Sequence, residues 1–379
     1  MIRYLYIHIP FCLKKCIYCD FYSVPDSVPL IEAYVEALCK EIDMRSNLID
    51  ELEAIYIGGG TPSLLKEKDI AKIMGKLKRE WRLSSNVEIT SEVNPGTLSD
   101  KGIKAMLSSG INRISIGVQS LDDKELRLLG RMHDAADAVR ALRDAQRGGF
   151  RNISVDLIYG IPGQDNKSWK TTLEEIARLR PEHFSTYELT PEKNTLLHEQ
   201  LEKDNLYLPD EDTVAEMYYS AIDTLEACGY GHYEISNFAL PGYECRHNLN
   251  YWDRGEYIGI GAGAHSFRNG MRFANVGDVE SYINAINEAR LPVTEEMVLT
   301  PEDRVKEILF LGLRKKEGIE LGEMPAETAE KMKETIGNLV LQDLIESSDN
   351  RIKLTRKGLL LCNEVIVRLM LCIERSRLA

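Results

Sequence analysis

No part of this chain is apolar for long enough to cross a membrane: no run approaches the roughly 18–20 residues of a helical span. Positive charge is also in short supply. The 47 Lys and Arg are outnumbered by 60 Asp and Glu, for a formal net charge of −13. Nucleic acids and anionic membranes are held by massed Lys and Arg, so neither is expected as a partner. The basic run Arg314-Lys315-Lys316 is short, is followed by Glu317 and reads as a solvated helix end. Eight cysteines in 379 residues are too few for a disulfide framework, which suits a reducing, cytoplasmic compartment. The opening Met1-Ile-Arg-Tyr-Leu-Tyr-Ile-His-Ile-Pro10 breaks at Pro10 and reads as a strand, not a signal peptide. Repeats and low-complexity segments are missing too.

What is present is an ordinary globular balance, 44% hydrophobic and 28% charged, on a chain long enough for a barrel-sized domain and a smaller one. Short β-rich runs at 4–9, 54–57, 88–92, 113–117, 154–158 and 183–188 alternate with amphipathic stretches near 30–44, 67–81, 99–108, 135–147 and 169–179. Strict alternation implies βαβ units and a parallel sheet. Six units predict an open α/β barrel, a partial (β/α)6 rather than a closed eightfold one. From about Leu206 the pattern changes: a helix at 212–228, a run at 233–238, then a loop dense in Gly, Asn and aromatics up to Phe267. After Thr300, helices at 304–313 and 326–341, a hairpin turning at Asp349-Asn350 and a helix at 358–373 resemble a winged-helix unit. Its mixed charges argue against DNA. The expected division is 1–205, 206–295 and 296–379.

The first strand runs into Phe11-Cys12-Leu-Lys-Lys-Cys16-Ile-Tyr-Cys19-Asp20. Cys-x3-Cys-x2-Cys offers three thiolates on one loop, so a 4Fe-4S cube held there keeps one iron without a side chain. An open iron can take a ligand, as open catalytic metals do. S-adenosylmethionine (SAM) is the natural one, bound through its amino and carboxylate groups; an electron from the cluster would split the sulfonium to a 5′-deoxyadenosyl radical. A zinc site completed by His8 is the competing reading. The remaining cysteines, 39, 228, 245, 362 and 372, read as isolated free thiols.

Further motifs end the next strands. Gly58-Gly59-Gly60-Thr61-Pro62 follows the second, and its glycines allow close backbone approach to a ligand. The third ends in Glu92-Val-Asn-Pro-Gly96, where Glu92 suits ribose hydroxyls or an ammonium. The fourth ends near Gln119 and is followed by Arg131, a fork for a carboxylate. Asp156 interrupts the fifth, where a parallel strand should be apolar, and needs a partner. A structural polar network at the barrel mouth is the plain alternative for these four residues.

Together these motifs resemble the radical SAM superfamily, and over nearly the whole chain the coproporphyrinogen III dehydrogenase (HemN) family and its HemW relatives. The resemblance implies a partial barrel with a small helical C-terminal domain. It carries the cluster onto Cys12, Cys16 and Cys19, and SAM onto Tyr6, Tyr18, Gly59, Gly60, Thr61, Glu92, Gln119, Arg131 and Asp156. Two departures separate the branches. The dehydrogenases call for a fourth cysteine where this chain has Phe21, and for a long segment ahead of the cluster. Cys19-Asp-Phe-Tyr22 and His247-Asn248-Leu-Asn-Tyr251-Trp252 match the HemW branch instead. That implies heme as cargo, delivered to acceptors such as respiratory enzymes; oxidative decarboxylation of coproporphyrinogen III is the alternative. His247, Asn248, Tyr251 and Trp252 are the candidate heme contacts, with Cys245 and His265 as competing ligands.

Overall fold

In the computed structural model, the described residues are 2–348 and 350–375. Six strands run parallel in chain order: β1 (Ile2–Ile9), β2 (Ile49–Gly59), β3 (Arg82–Val93), β4 (Arg113–Gln119), β5 (Ile153–Tyr159) and β6 (His183–Glu188). The crossover helices are α1 (Val28–Met44), α2 (Glu67–Glu80), α3 (Asp100–Ser109), α4 (Ala135–Gly148) and α5 (Asn166–Arg178), and α6 (Glu211–Ala227) follows β6. The partial six-unit α/β barrel is therefore present. Its sheet is extended to nine strands, by Ile258–Ile260 parallel to β1 at one edge and by the antiparallel pair Asn237–Ala239 and Gly231–Glu234 beyond β6.

Alternation along the strands explains the layering. Leu5, Ile7 and Ile9 of β1, Ile114, Ile116 and Val118 of β4, and Ile153, Val155 and Leu157 of β5 are all fully buried. Each such side chain contributes roughly 1.5–3 kcal/mol by leaving water. The intervening positions carry Tyr6, His8, Tyr56, Glu92, Ser115, Asp156 and Tyr187, so the barrel interior is polar and aromatic. Local signals set the helix ends. The Ser99 hydroxyl accepts the Gly102 N–H and Gly110 closes α3 at φ 97°; Asp134 and Asp137 form a capping box on α4.

The segment expected as an irregular loop contains a helix, Arg246–Trp252. Its N-terminus is capped from a distant strand: Glu88 Oε1 of β3 accepts the Arg246 N–H at 3.1 Å. A separate three-stranded sheet (His265–Arg268, Met271–Asn275, Val293–Val298) follows. Beyond it come Pro301–Gly312, Ala326–Leu341, the hairpin Ile345–Ser348/Arg351–Leu354 and terminal helices. Of the Asp349-Asn350 turn, Asp349 lies outside the described residues. The last expected helix is divided, into Arg356–Leu360 and Cys362–Arg375. This C-terminal unit is tied to the barrel by main chain: Ile235 N donates to Arg314 O at 2.9 Å and Lys316 N to Tyr233 O at 3.1 Å.

Candidate functional site at the barrel mouth

The loop after β1 is pinched at its base, where Phe11–Cys12 pairs with Val24–Pro25. Val24 N donates to Pro10 O at 2.7 Å and Asp26 N to Cys12 O at 3.1 Å. Its tip is bracketed as well: Ile17 N donates to Leu129 O and Ile17 O accepts from Leu197 N. Cys12, Cys16 and Cys19 are free, partly exposed thiols on this loop. They share one cavity of about 500 Å³ with Tyr18, Gly59, Gly60, Thr61, Glu92, Gln119, Arg131 and Asp156. Eleven of the twelve sequence candidates for cluster and SAM thus line one space. Tyr6 is the twelfth: its ring is stacked on Tyr56, which does line the cavity, and its hydroxyl meets His8 Nδ1 at 3.0 Å.

Among the described residues, no three His, Cys, Asp or Glu side chains converge as ligands of a single metal ion. A tetrahedral zinc would bring its sulfurs within about 3.8 Å of one another, given Zn–S bonds near 2.3 Å. A cube spreads its thiolates over separate irons, so that finding concerns a mononuclear ion only. His8 is turned away from such a role, its Nε2 against Tyr22 O at 3.2 Å. Burial pushes the Cys19 thiol up to about 11, with Cys16 and Cys12 adding to it against the Phe21 backbone N–H. Since thiolates are the metal-binding form, loading this loop must expel protons.

The cavity walls are tightly built. Gly59 sits at φ 111°, and a Cβ there would lie 2.4 Å from the His8 ring. The Gly59 N–H donates to Glu92 Oε2 at 3.0 Å and Tyr56 donates to Oε1 at 2.9 Å. The Glu92 carboxyl is raised to about 7, by burial first and by the nearby Asp156, against the lowering effect of those two hydrogen bonds. The partner that Asp156 requires is Ser115, whose hydroxyl lies 2.9 and 3.1 Å from its two oxygens. Burial raises this carboxyl too. Gln119 holds φ 68°, in the left-handed region that a side chain enters at a cost of about 1–3 kcal/mol. Arg131 donates to Asn94 Oδ1, to Gly117 O at 2.8 Å and to Cys16 Sγ at 3.5 Å, while its buried Nε has no partner among the described residues. Asn94 in turn donates to Thr61 Oγ1 at 2.9 Å.

These observations fit the implied groups. Three thiols from one loop, a carboxylate pair, a guanidinium with an unused donor and glycine-lined backbone form a cradle for a charged, zwitterionic nucleotide beside a cluster. Sequence reasoning did not single out Asn94, which bridges Thr61 to Arg131, nor Tyr56, Ser115 and Tyr187. The signal for Asn94 was its place two residues past Glu92 at a strand end.

The heme candidates lie at the opposite end. His247 is 1% exposed, on the Arg246–Trp252 helix that closes the N-terminal end of the barrel. Its ring packs against Tyr4, Tyr6 and Tyr56, its Nε2 meets Tyr251 Oη at 2.8 Å, and its buried Nδ1 is unpartnered among the described residues. Burial brings its pKa down to about 3. The Trp252 ring lies under the Arg314 guanidinium at 5.7 Å. Asn248 and Tyr251 are half-buried on the same helix. Of the competing ligands, Cys245 is fully buried and donates to Glu88, whereas His265 is exposed. The run expected as a loop is thus a short, largely buried helix whose first N–H is capped by Glu88.

The sequence model of the radical SAM superfamily matches residues 6–176, and that of the HemN C-terminal domain matches 299–361. The heme chaperone HemW of Lactococcus lactis is 39% identical over 371 residues, covering 97% of each chain. HemW of Bacillus subtilis is 38% identical, covering 95% of this chain and 97% of the relative. HemW of Escherichia coli is 41% identical over 265 residues, 69% of each. Among solved structures, coproporphyrinogen III oxidase (HemN) of Escherichia coli superposes with a TM-score of 0.83 at 23% identity, covering 97% of this chain and 90% of that one, a likeness of fold.

Proposed function

The chain belongs to the HemW family of the radical SAM superfamily, and from that premise we propose that it is a heme chaperone with a SAM-binding 4Fe-4S cluster. Cys12, Cys16 and Cys19 hold the cluster, which supplies an open iron and low-potential electrons. Arg131 would pair with the SAM carboxylate. Glu92 and Asp156 face the ribose and ammonium. Gly59, Gly60 and Thr61 bring main chain against the methionine end, and Tyr18 and Gln119 close the sides. Tyr6 supports Tyr56 from below. The first barrel segment, 1–205, carries this site; 206–295 supplies the plug and 296–379 the winged-helix-like unit. The acceptors are heme-requiring proteins such as respiratory enzymes, reached in the cytoplasm.

The observation that carries this reading is the single cavity in which three thiols, a half-used guanidinium and two raised carboxyls meet. Anaerobically reconstituted protein, loaded with heme, tests it. Heme transfer to an apo-acceptor, with no turnover of coproporphyrinogen III in the presence of SAM and reductant, is the expected result. Conversion of coproporphyrinogen III to protoporphyrinogen would make the chain an oxidative decarboxylase instead.

A further inference from the structure

We propose that heme docks across the lip of the barrel mouth, its macrocycle against Phe21 and Tyr187 and its propionates on Lys14 and Lys15; this rests on the heme-cargo reading above. Both aromatics line the mouth cavity, and both are unusually open to water, Phe21 at 64% and Tyr187 at 43%. Tyr187 turns its hydroxyl inward toward Asp156 and Ser185 and leaves part of its ring open, so two partly exposed rings in the wall of one cavity offer flat apolar area of the kind a macrocycle covers. The cavity itself, about 500 Å³, suits a nucleotide. A second large ligand therefore lies over the opening.

Charge sets the orientation. Lys14 and Lys15 are exposed on the cluster loop, line the same cavity, and belong to no ion pair among the described residues. About half of the other lysines do, as in Lys68 with Glu32, Lys72 with Glu36 and Lys76 with Asp43. The segment after β6 brings Glu188 and Glu192 to the same cavity, and Asp20 accompanies the lysines on the cluster loop. Heme bears both carboxylates on one edge. That edge is attracted to the two-lysine side and repelled from the two-glutamate side. The floor of the barrel offers no comparable approach, since His247 is 1% exposed and heme could reach it only if the Arg246–Trp252 helix left its seat.

The test uses the full chain with its cluster reconstituted anaerobically, hemin as probe and hemin dimethyl ester as the propionate-blocked comparison. Phe21→Ser and the double variant Lys14→Gln/Lys15→Gln each weaken hemin binding about tenfold or more, the size expected for losing one charge-assisted contact or a packed ring. The ester binds wild type about as weakly as hemin binds the lysine variant. The melting transition and the iron and sulfide content are those of wild type in both variants, which shows that the barrel and cluster loop remain formed. His247→Gln, checked for an intact melt, binds hemin as wild type does. Wild-type hemin affinity in both mouth variants overturns the docking site while leaving the cargo reading standing. Failure of the unaltered protein to bind hemin at all overturns the cargo reading, and the docking site with it.

Discussion

The two ends of the barrel are built from the same inward-facing strand positions, yet they treat polar groups in opposite ways. At the N-terminal end, Glu88, Arg113, His183, Cys245 and His247 are all at least nine-tenths buried under the Arg246–Trp252 helix. His183 is held between Ser154 Oγ and Tyr233 Oη, both at 2.8 Å, and Glu88 caps the helix. At the C-terminal end, Glu92, Asp156, Gln119 and Arg131 face an open cavity beside three thiols. A polar network sealed from water fixes a plug even with Arg113 Nε and His247 Nδ1 left unpaired among the described residues, and one open to water awaits a ligand. Polarity inside a barrel therefore does not by itself mark the site; access does.

The largest way to break this contrast is Cys12→Ser at the mouth. Cluster iron and sulfide, measured after anaerobic reconstitution, fall to near zero, while the melting transition stays that of the wild-type apoprotein. Arg131→Lys comes next. A lysine cannot reproduce three divergent donations, so SAM affinity by calorimetry weakens about ten- to a hundredfold. At the floor, Glu88→Ala removes the helix cap and a buried carboxylate near Arg113. Denaturant unfolding reads a loss of about 2–4 kcal/mol with cluster content intact.

How much of this was legible in the sequence follows the same division. The mouth residues stand in short motifs at strand ends, Cys12 to Cys19, Gly58 to Thr61 and Glu92 to Gly96, so local order revealed them. The floor could not be read that way. The Arg246 N–H finds its acceptor in Glu88, 158 residues earlier, and no window containing His247-Asn248 holds that cap. A His-Asn-Leu-Asn-Tyr-Trp run looks like an exposed loop until the cap makes it a helix. The edge strand Ile258–Ile260 was missed for a related reason: an Ile-Gly-Ile triplet followed by Gly261 gains strand geometry only beside β1. The parallel strands were expected to be apolar, so Asp156 stood as an exception until the inward-facing positions proved polar and aromatic.

Smaller effects sharpen the contrast, because the two ends titrate with opposite sign. Glu92 is raised to about 7 in the fold, so its contribution is present in full below its unfolded value, near 4.5, and is lost as pH rises through about 7. His247 is lowered to about 3, so its contribution is present above its unfolded value, near 6.5, and is lost as pH falls toward 3. In apoprotein melts across pH 3–9, Glu92→Gln flattens the neutral limb and His247→Gln the acid limb. Glu234, also raised to about 7, and His232, lowered to about 4, leave part of each slope in place. Least of all, Gln119→Gly relieves a left-handed residue and alters stability by about 1 kcal/mol or less.

The most direct measurement is iron and sulfide analysis of anaerobically reconstituted protein, paired with electron paramagnetic resonance of the reduced sample with and without SAM. The mouth as described predicts about four irons and four sulfides per chain and a reduced-cluster signal that changes when SAM is added, as expected of a cube with one open iron. Stoichiometric zinc in place of iron, or a cluster signal indifferent to SAM, would contradict it.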